Sequence, residues 1–293
     1  MFNKLKGNIL FNVLLKRHDI NRAYKMVGPE DSWYDTITKV HNSLAEIKKL
    51  PHEDVEIISE DNLKLKGLFY PSESSDITVI WVHGYTSHAE RESAFPGLFY
   101  HSLGYNFLIP YLRAHGPSEG KYISFGALDY LDIIKWCDLI NKRIPNGKII
   151  IHGLSMGGGI VLDLIDKEIK NVKCLIADAP SISIEGFFNA VAHSAFKKDG
   201  DEVYKHCVNK FNKTFKTDIS KFDGFKTIAN AKYPLLLSAG ENEHMDDLLN
   251  GLQKISPKET EIIILPGCNH GNGMYKQTNL YQSVIKKFIS KYV

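Results

Sequence analysis

The chain has 293 residues, 43% of them hydrophobic and 24% charged, and 36 basic against 34 acidic side chains leave a net charge of +2. That composition is globular and excludes a disordered, collagenous or coiled-coil protein, and its near-neutrality argues against a non-specific nucleic-acid binder. No apolar run approaches the roughly 18 residues that a membrane span needs.

In chain order, Met1 to Leu15 has a basic start and a short apolar run broken by Asn12, with no small-x-small cleavage site after it. It is expected to form an amphipathic helix packed on the domain, with weak peripheral membrane contact as the sharper alternative. Residues 1–50 look mostly helical and close at Leu50-Pro51. Two β-type runs follow, Val55–Ile58 and Leu63–Tyr70, around the hairpin-like turn Glu60-Asp61-Asn62. From Ile77 the pattern alternates between strands (Ile77–Val82, Tyr105–Pro110, Lys148–His152, Val172–Ala177) and helices (Ala89–Leu103, Phe125–Arg143, Met156–Lys167). Short, nearly all-apolar strands between amphipathic helices predict a mostly parallel sheet covered on both faces.

After Pro180 the rhythm stops, and residues 181–233 are rich in aromatics and lysines without a clear strand. Pro234–Ala239, Met245–Ile255, Glu261–Leu265 and Tyr275–Tyr292 then resume strand, helix, strand, helix. The chain is therefore expected to divide into a core (51–180 and 234–293), a helical cap inserted at 181–233, and the N-terminal extension of 1–50. Charge divides with it: nine basic against five acidic residues in the extension, nine against six in the cap, 18 against 23 in the core. Two basic accessories on an acidic body are expected to dock on that body or to face an anionic surface such as lipid. Cys137, Cys174, Cys207 and Cys268 form no C-x-x-C pair, so no zinc or thioredoxin-like site is indicated and a reducing, cytoplasmic setting is the simplest expectation.

The densest chemistry lies in Ile149-Ile150-Ile151-His152-Gly153-Leu154-Ser155-Met156-Gly157-Gly158-Gly159, a G-x-S-x-G with a strand pattern before it and a helix pattern after it. Ser155 is expected on a sharp, strained strand-to-helix turn, where a Cβ at position 153 or 157 would crowd neighbouring chain. The turn sets the hydroxyl at a helix N-terminus, whose N–H groups and dipole favour developing negative charge. A chance G-x-S-x-G in a glycine-rich turn is the bland alternative. Serine rather than aspartate at its centre disfavours dehalogenase and epoxide-hydrolase chemistry.

Acyl transfer through a tetrahedral intermediate needs two preorganised donors for the oxyanion. The Met156 N–H supplies one, and the loop His83-Gly84-Tyr85-Thr86-Ser87 after strand Thr78–Val82 supplies the other through the Tyr85 backbone. The Tyr85 side chain is a candidate for the pocket lining, and His83 is read as a loop brace rather than a base. The chain order of such a site is nucleophile, acid, histidine, with the histidine after the last strand, which selects His270 as general base. His18, His41, His52, His101, His193 and His206 lie in polar helices or the cap and are expected to be solvated. For the acid, Glu243 ranks first, three residues beyond Gly240 at the end of the preceding strand. Asp246 and Asp178 remain alternatives.

Together these segments resemble the α/β-hydrolase superfamily, more closely its bacterial serine esterases related to the serine aminopeptidase and monoacylglycerol-lipase groups. The resemblance runs from about Val55 to Tyr292. It rests on His83-Gly84, on Leu112-Arg113-Ala114-His115-Gly116-Pro117-Ser118-Glu119-Gly120, on Gly153-x-Ser155-x-Gly157 and on Gly267-x-x-His270. Three positions depart from the family pattern: Tyr111 stands where Asp precedes Leu-Arg, Ala114 replaces a glycine, and Glu243 stands where Asp is typical. The resemblance implies a serine hydrolase that needs no cofactor or metal and cleaves small carboxylic esters. Serine peptidase or amidase activity on the same triad is the alternative, and a non-catalytic binding protein of the same fold is the alternative of another class. Phe187, Phe188, Phe196, Tyr204, Phe211, Phe215, Phe222, Phe225 and Tyr233 in the cap are expected to split between a small core of its own and a roomy apolar wall.

Overall fold

A computed structural model describes residues 2–18 and 33–293. Helices α1 (Phe2–Leu15) and α2 (Ile37–Ile47) precede the hairpin β1 (Glu53–Ile58) and β2 (Lys64–Tyr70). Then come β3 (Ile77–Val82), α3 (Ala89–Ser102), β4 (Asn106–Pro110), α4 (Asp129–Arg143), β5 (Lys148–Leu154), α5 (Met156–Leu164) and β6 (Val172–Asp178). Three helices follow, α6 (Ile184–Phe196), α7 (Gly200–Phe215) and α8 (Gly224–Ile228), before β7 (Leu235–Gly240), α9 (Asp246–Ile255) and β8 (Thr260–Leu265). Helices α10 (Gly273–Lys276) and α11 (Thr278–Ile289) end the chain.

The eight strands form one sheet in the order β1-β2-β4-β3-β5-β6-β7-β8. The pairs β1–β2 and β2–β4 are antiparallel, and all later pairs are parallel. The strands are apolar throughout because both faces are covered. Ile149 and Ile151 join a cluster with α1, α4, α5, α6 and α7, whereas Ile150 between them joins a second cluster with α2, α3 and α11. From β3 the chain winds outward to β4 on one side and returns to β5 on the other. The crevice at the carboxyl ends of β3 and β5 is thus a topological switch point, where open α/β sheets bind ligands.

Several element ends differ from the sequence expectation. The helix expected from Phe125 begins at Asp129, because Phe125 and Gly126 take positive φ (53° and 106°) and the Asp129 carboxylate accepts from the Gly126 N–H and the Ser124 hydroxyl. The final helix is broken at Gln277. The aromatics of 181–233 build no separate core: Phe188, Phe211 and Phe215 belong to the same cluster as the inner face of the sheet.

Helix α1 packs on α7. Gly7 lies so close to α7 that a Cβ there would sit 2.5 Å from His206 Cβ and 2.9 Å from the Val203 carbonyl oxygen. Lys6 pairs with Asp199, and the Lys210 ammonium stands 4.5 Å over the Phe11 ring. Helix α1 is also not the amphipathic helix expected. Leu10, Phe11, Leu14 and Leu15 are buried, but Phe2, Leu5, Ile9 and Val13 on the other side are exposed. Residues 19–32 of the extension lie outside the described residues. Among the described residues no helix is long and apolar enough to cross a membrane, and the four cysteines are buried free thiols.

The sharpest electrostatic commitment away from the sheet ends is Arg113, whose guanidinium donates to both Asp132 carboxylate oxygens at 2.8 and 2.9 Å and to Asp61 at 3.0 and 3.1 Å. Arg113 and Asp132 are both buried, so removing the cation strands a carboxylate in the core. Arg113→Ala is expected to lower the unfolding free energy in urea by about 3–5 kcal/mol, whereas Asp61→Asn, at the exposed end of the pair, is expected to change it by about 1 kcal/mol or less.

Candidate active site

The turn between β5 and α5 presents Ser155 at φ 58° and ψ −113°, a conformation that a side-chain-bearing residue adopts only under constraint. The constraint is backbone contact on either side. A Cβ at Gly153 would lie 2.1 Å from the Gly157 carbonyl oxygen, and one at Gly157 would lie 1.9 Å from that of Val82. The Ser155 N–H donates to the Asp178 carbonyl at 2.8 Å, and the Ser155 carbonyl accepts from Gly159 and Ser181 at 3.0 Å each. Met156, the first residue of α5, carries an N–H with no acceptor within its own helix.

The loops after β7 and β8 converge on this serine. His270 Nε2 lies 2.8 Å from Ser155 Oγ, and His270 Nδ1 lies 2.5 Å from Glu243 Oε2. A carboxylate only accepts, so Nδ1 carries the proton and donates to Glu243, leaving Nε2 to accept from the serine hydroxyl. The hydrogen bond and charge of Glu243 hold the His270 pKa above its usual value against partial desolvation. Glu243 is itself fixed. A tight helical turn at Glu241–Glu243 curls its side chain back so that Oε1 accepts from the Gly240 N–H at 2.8 Å. Glu241 accepts from the Gly267 N–H, and the Asn242 N–H donates to the Cys268 carbonyl, which ties the two loops together.

The other two carboxylates ranked from the sequence stand elsewhere. Asp178 is buried beneath the site, accepts from the Ser238 hydroxyl at 2.9 Å, and is pushed up to about 6 by burial. Asp246 is exposed in the first turn of α9.

The loop after β3 is braced from below. His83 is buried; its Nδ1–H donates to the Gly84 carbonyl at 2.9 Å and its Nε2 accepts from the Leu112 N–H at 3.1 Å. Burial and the neighbouring His115 push its pKa down to about 3, which suits a neutral brace. Glu92, from the first turn of α3, accepts from the Gly84 N–H through both oxygens (3.0 and 3.1 Å) and from the Trp81 indole at 3.0 Å. Burial pushes Glu92 up to about 7. Its part in shaping this loop escaped the sequence reading, although an acidic residue in the first turn of the helix after His-Gly was a visible signal.

The Tyr85 ring lies 5.4 Å from Phe125 and 6.5 Å from Phe187, which stack on each other at 5.0 Å. Its hydroxyl donates to the Leu14 carbonyl at 2.5 Å and stands 3.3 Å from His18 Nε2. His18, expected to be solvated, thus reaches the loop after β3, with its ring edge-on to Tyr85 at 6.0 Å. Trp33 reaches the opposite loop: its indole N–H donates to the His270 carbonyl at 3.2 Å, and its ring packs against Tyr275. No local pattern announces contacts this distant in the chain.

A family model described as "Serine aminopeptidase, S33" matches residues 73–221, just over half of the chain. An uncharacterised protein of Bacillus subtilis, YqkD, is 37% identical over 94 residues; the match covers 32% of this chain and only 30% of that relative's length. Among solved structures, an esterase of Pyrococcus furiosus aligns with a TM-score of 0.66 at 27% identity over 84% of this chain and 93% of its own. An α/β-hydrolase of Vibrio vulnificus aligns over 98% of this chain and 93% of its own with a TM-score of 0.63 at 19% identity, a likeness of fold. The fold is that of the α/β-hydrolases.

The hydrogen bond from His270 to Glu243 sets a direct test. In an NMR titration the His270 imidazole is expected to have a pKa above 6.5, and Glu243→Gln is expected to lower it; an unchanged value in that variant would remove Glu243 as the cause.

Proposed function

This chain belongs to the serine aminopeptidase, S33, family of α/β-hydrolases, and from that premise we propose that it cleaves small carboxylic esters through an acyl-enzyme on Ser155. The continuous line of hydrogen bonds from Ser155 Oγ through His270 to Glu243 carries the reading. Ser155 Oγ attacks the ester carbonyl while its proton passes to His270 Nε2. Charge on the former carbonyl oxygen is met by the backbone N–H groups of Tyr85 and Met156, the second reinforced by the dipole at the start of α5. The imidazolium, held by Glu243, returns the proton to the departing alkoxide. Water then enters, loses a proton to His270 and releases the carboxylic acid from Ser155.

Esters are favoured over peptides by what surrounds the serine. The Tyr85, Phe125 and Phe187 rings cluster at the loop after β3, and the carboxylates near the serine are engaged by Gly84, Ser238, Gly240 and His270 rather than left for a substrate's α-ammonium group. Such rings suit an aliphatic or aromatic acyl group. Phe187 comes from α6, so the inserted helices α6–α8 act as a cap over the acyl site.

A fluorophosphonate probe is expected to label Ser155 in the folded protein; no label there, with the protein folded, removes the enzyme reading. On p-nitrophenyl esters, Ser155→Ala and His270→Ala are expected to abolish turnover, and Glu243→Gln to lower kcat on the order of 10³-fold, while Asp246→Asn keeps it. Only neutral His270 accepts the serine proton, so kcat/KM is expected to rise with pH through a value above 6.5. In Glu243→Gln that limb moves to lower pH while the plateau falls.

A further inference from the structure

We propose that the outer face of α1 docks the protein on an anionic lipid surface. On that face Phe2, Leu5, Ile9 and Val13 are 75%, 57%, 49% and 52% exposed. Their spacings of three and four residues line them up along one side of the helix, opposite Gly7, Leu10, Phe11 and Leu14, which face α7 and the core. The other large exposed apolar side chains among the described residues are scattered over Tyr34, β1, α9 and α11. Isolated exposed apolar residues are ordinary on a protein surface, but a continuous helical stripe of four marks an interaction site. A helix apolar on two opposite sides can take two apolar partners, and among the described residues only the α7 side of this one is covered.

Charge selects the second partner. Residues 2–18 contain Lys4, Lys6, Lys16 and Arg17 and no acidic residue. Lys197 and Lys198 line a shallow cleft with Lys6 near the start of the helix. Asp199 neutralises Lys6 and Arg17 donates to the carbonyls of Gly116 and Ser118, but Lys4, Lys16, Lys197 and Lys198 are exposed. A second copy of this chain laid symmetrically on the stripe would bring those cations against themselves. Anionic headgroups pair with them while the acyl region receives Phe2, Leu5, Ile9 and Val13, which is how interfacial helices bind. The helix leads from that surface to the site, since its Leu14 carbonyl accepts the Tyr85 hydroxyl and its Leu15 carbonyl the Ile123 N–H. Docking is a matter of binding and stands whether or not the ester reading does.

The test is co-sedimentation of the full chain with phosphatidylcholine vesicles, with and without phosphatidylglycerol. Binding is expected only with the anionic lipid and is expected to weaken with salt. Phe2→Gln/Leu5→Gln/Val13→Gln should abolish it at an unchanged thermal midpoint, and Lys4→Glu/Lys16→Glu should weaken it by about fivefold or more per charge. Ser155→Ala should bind as the parent does. Failure to bind anionic vesicles overturns the proposal, as does equal binding by the triple glutamine variant. Light scattering that finds a dimer, which the same three substitutions disperse, replaces the lipid with a second copy.

Discussion

Between β5 and α5 there is no space for a side chain two residues before or two residues after Ser155. A methyl group at position 157 would meet the Val82 carbonyl at 1.9 Å, and one at 153 would meet the backbone of residue 157 itself. This pressing of backbone on backbone is the constraint from which the rest of the site follows. It fixes the serine at positive φ and brings the first turn of α5 against the end of β3, where the loop carrying Tyr85 begins. Once those segments are locked, the loops after β7 and β8 have only to deliver an imidazole and a carboxylate to one point. They are tied to each other by the Asn242 N–H on the Cys268 carbonyl and the Gly267 N–H on the Glu241 carboxylate.

Three carboxylates surround this point, and their hydrogen-bond partners sort them. Glu92 and Asp178 lie deep, are pushed up to about 7 and about 6, and spend their oxygens on N–H and hydroxyl groups that hold the loops. Glu243, its side chain also largely buried, has one oxygen on the Gly240 amide and the other on His270. A carboxylate that is costly to ionise serves as scaffold.

The sheet and the serine turn were legible because their signals are local. Nearly uniform apolar strands mean two covered faces, and glycines flanking a serine between a strand and a helix mean one particular turn. His270 was legible from its position after the last strand. The choice among Glu243, Asp246 and Asp178 was not, because it depends on a tight turn that folds Glu243 back onto the Gly240 amide and on Ser238 occupying Asp178. Contacts between residues far apart in the chain left no trace in the pattern. His18 at the Tyr85 loop, Trp33 under the His270 loop and α7 covering only one side of α1 are settled by tertiary packing alone.

The first fifty residues resemble an appendage, lying ahead of the sheet and reading as polar-interrupted helix. Yet Leu14 and His18 engage the hydroxyl of Tyr85, and Trp33 engages the carbonyl of His270, so both described ends of the segment rest on the two loops that frame the serine. Trimming the chain to the sheet domain for expression would therefore unseat both loops and uncover α7 at Val203 and Cys207. An affinity tag fused directly ahead of Phe2 would sit at the most exposed apolar residue of α1. A tag at the carboxyl end, after α11, leaves both surfaces as they are.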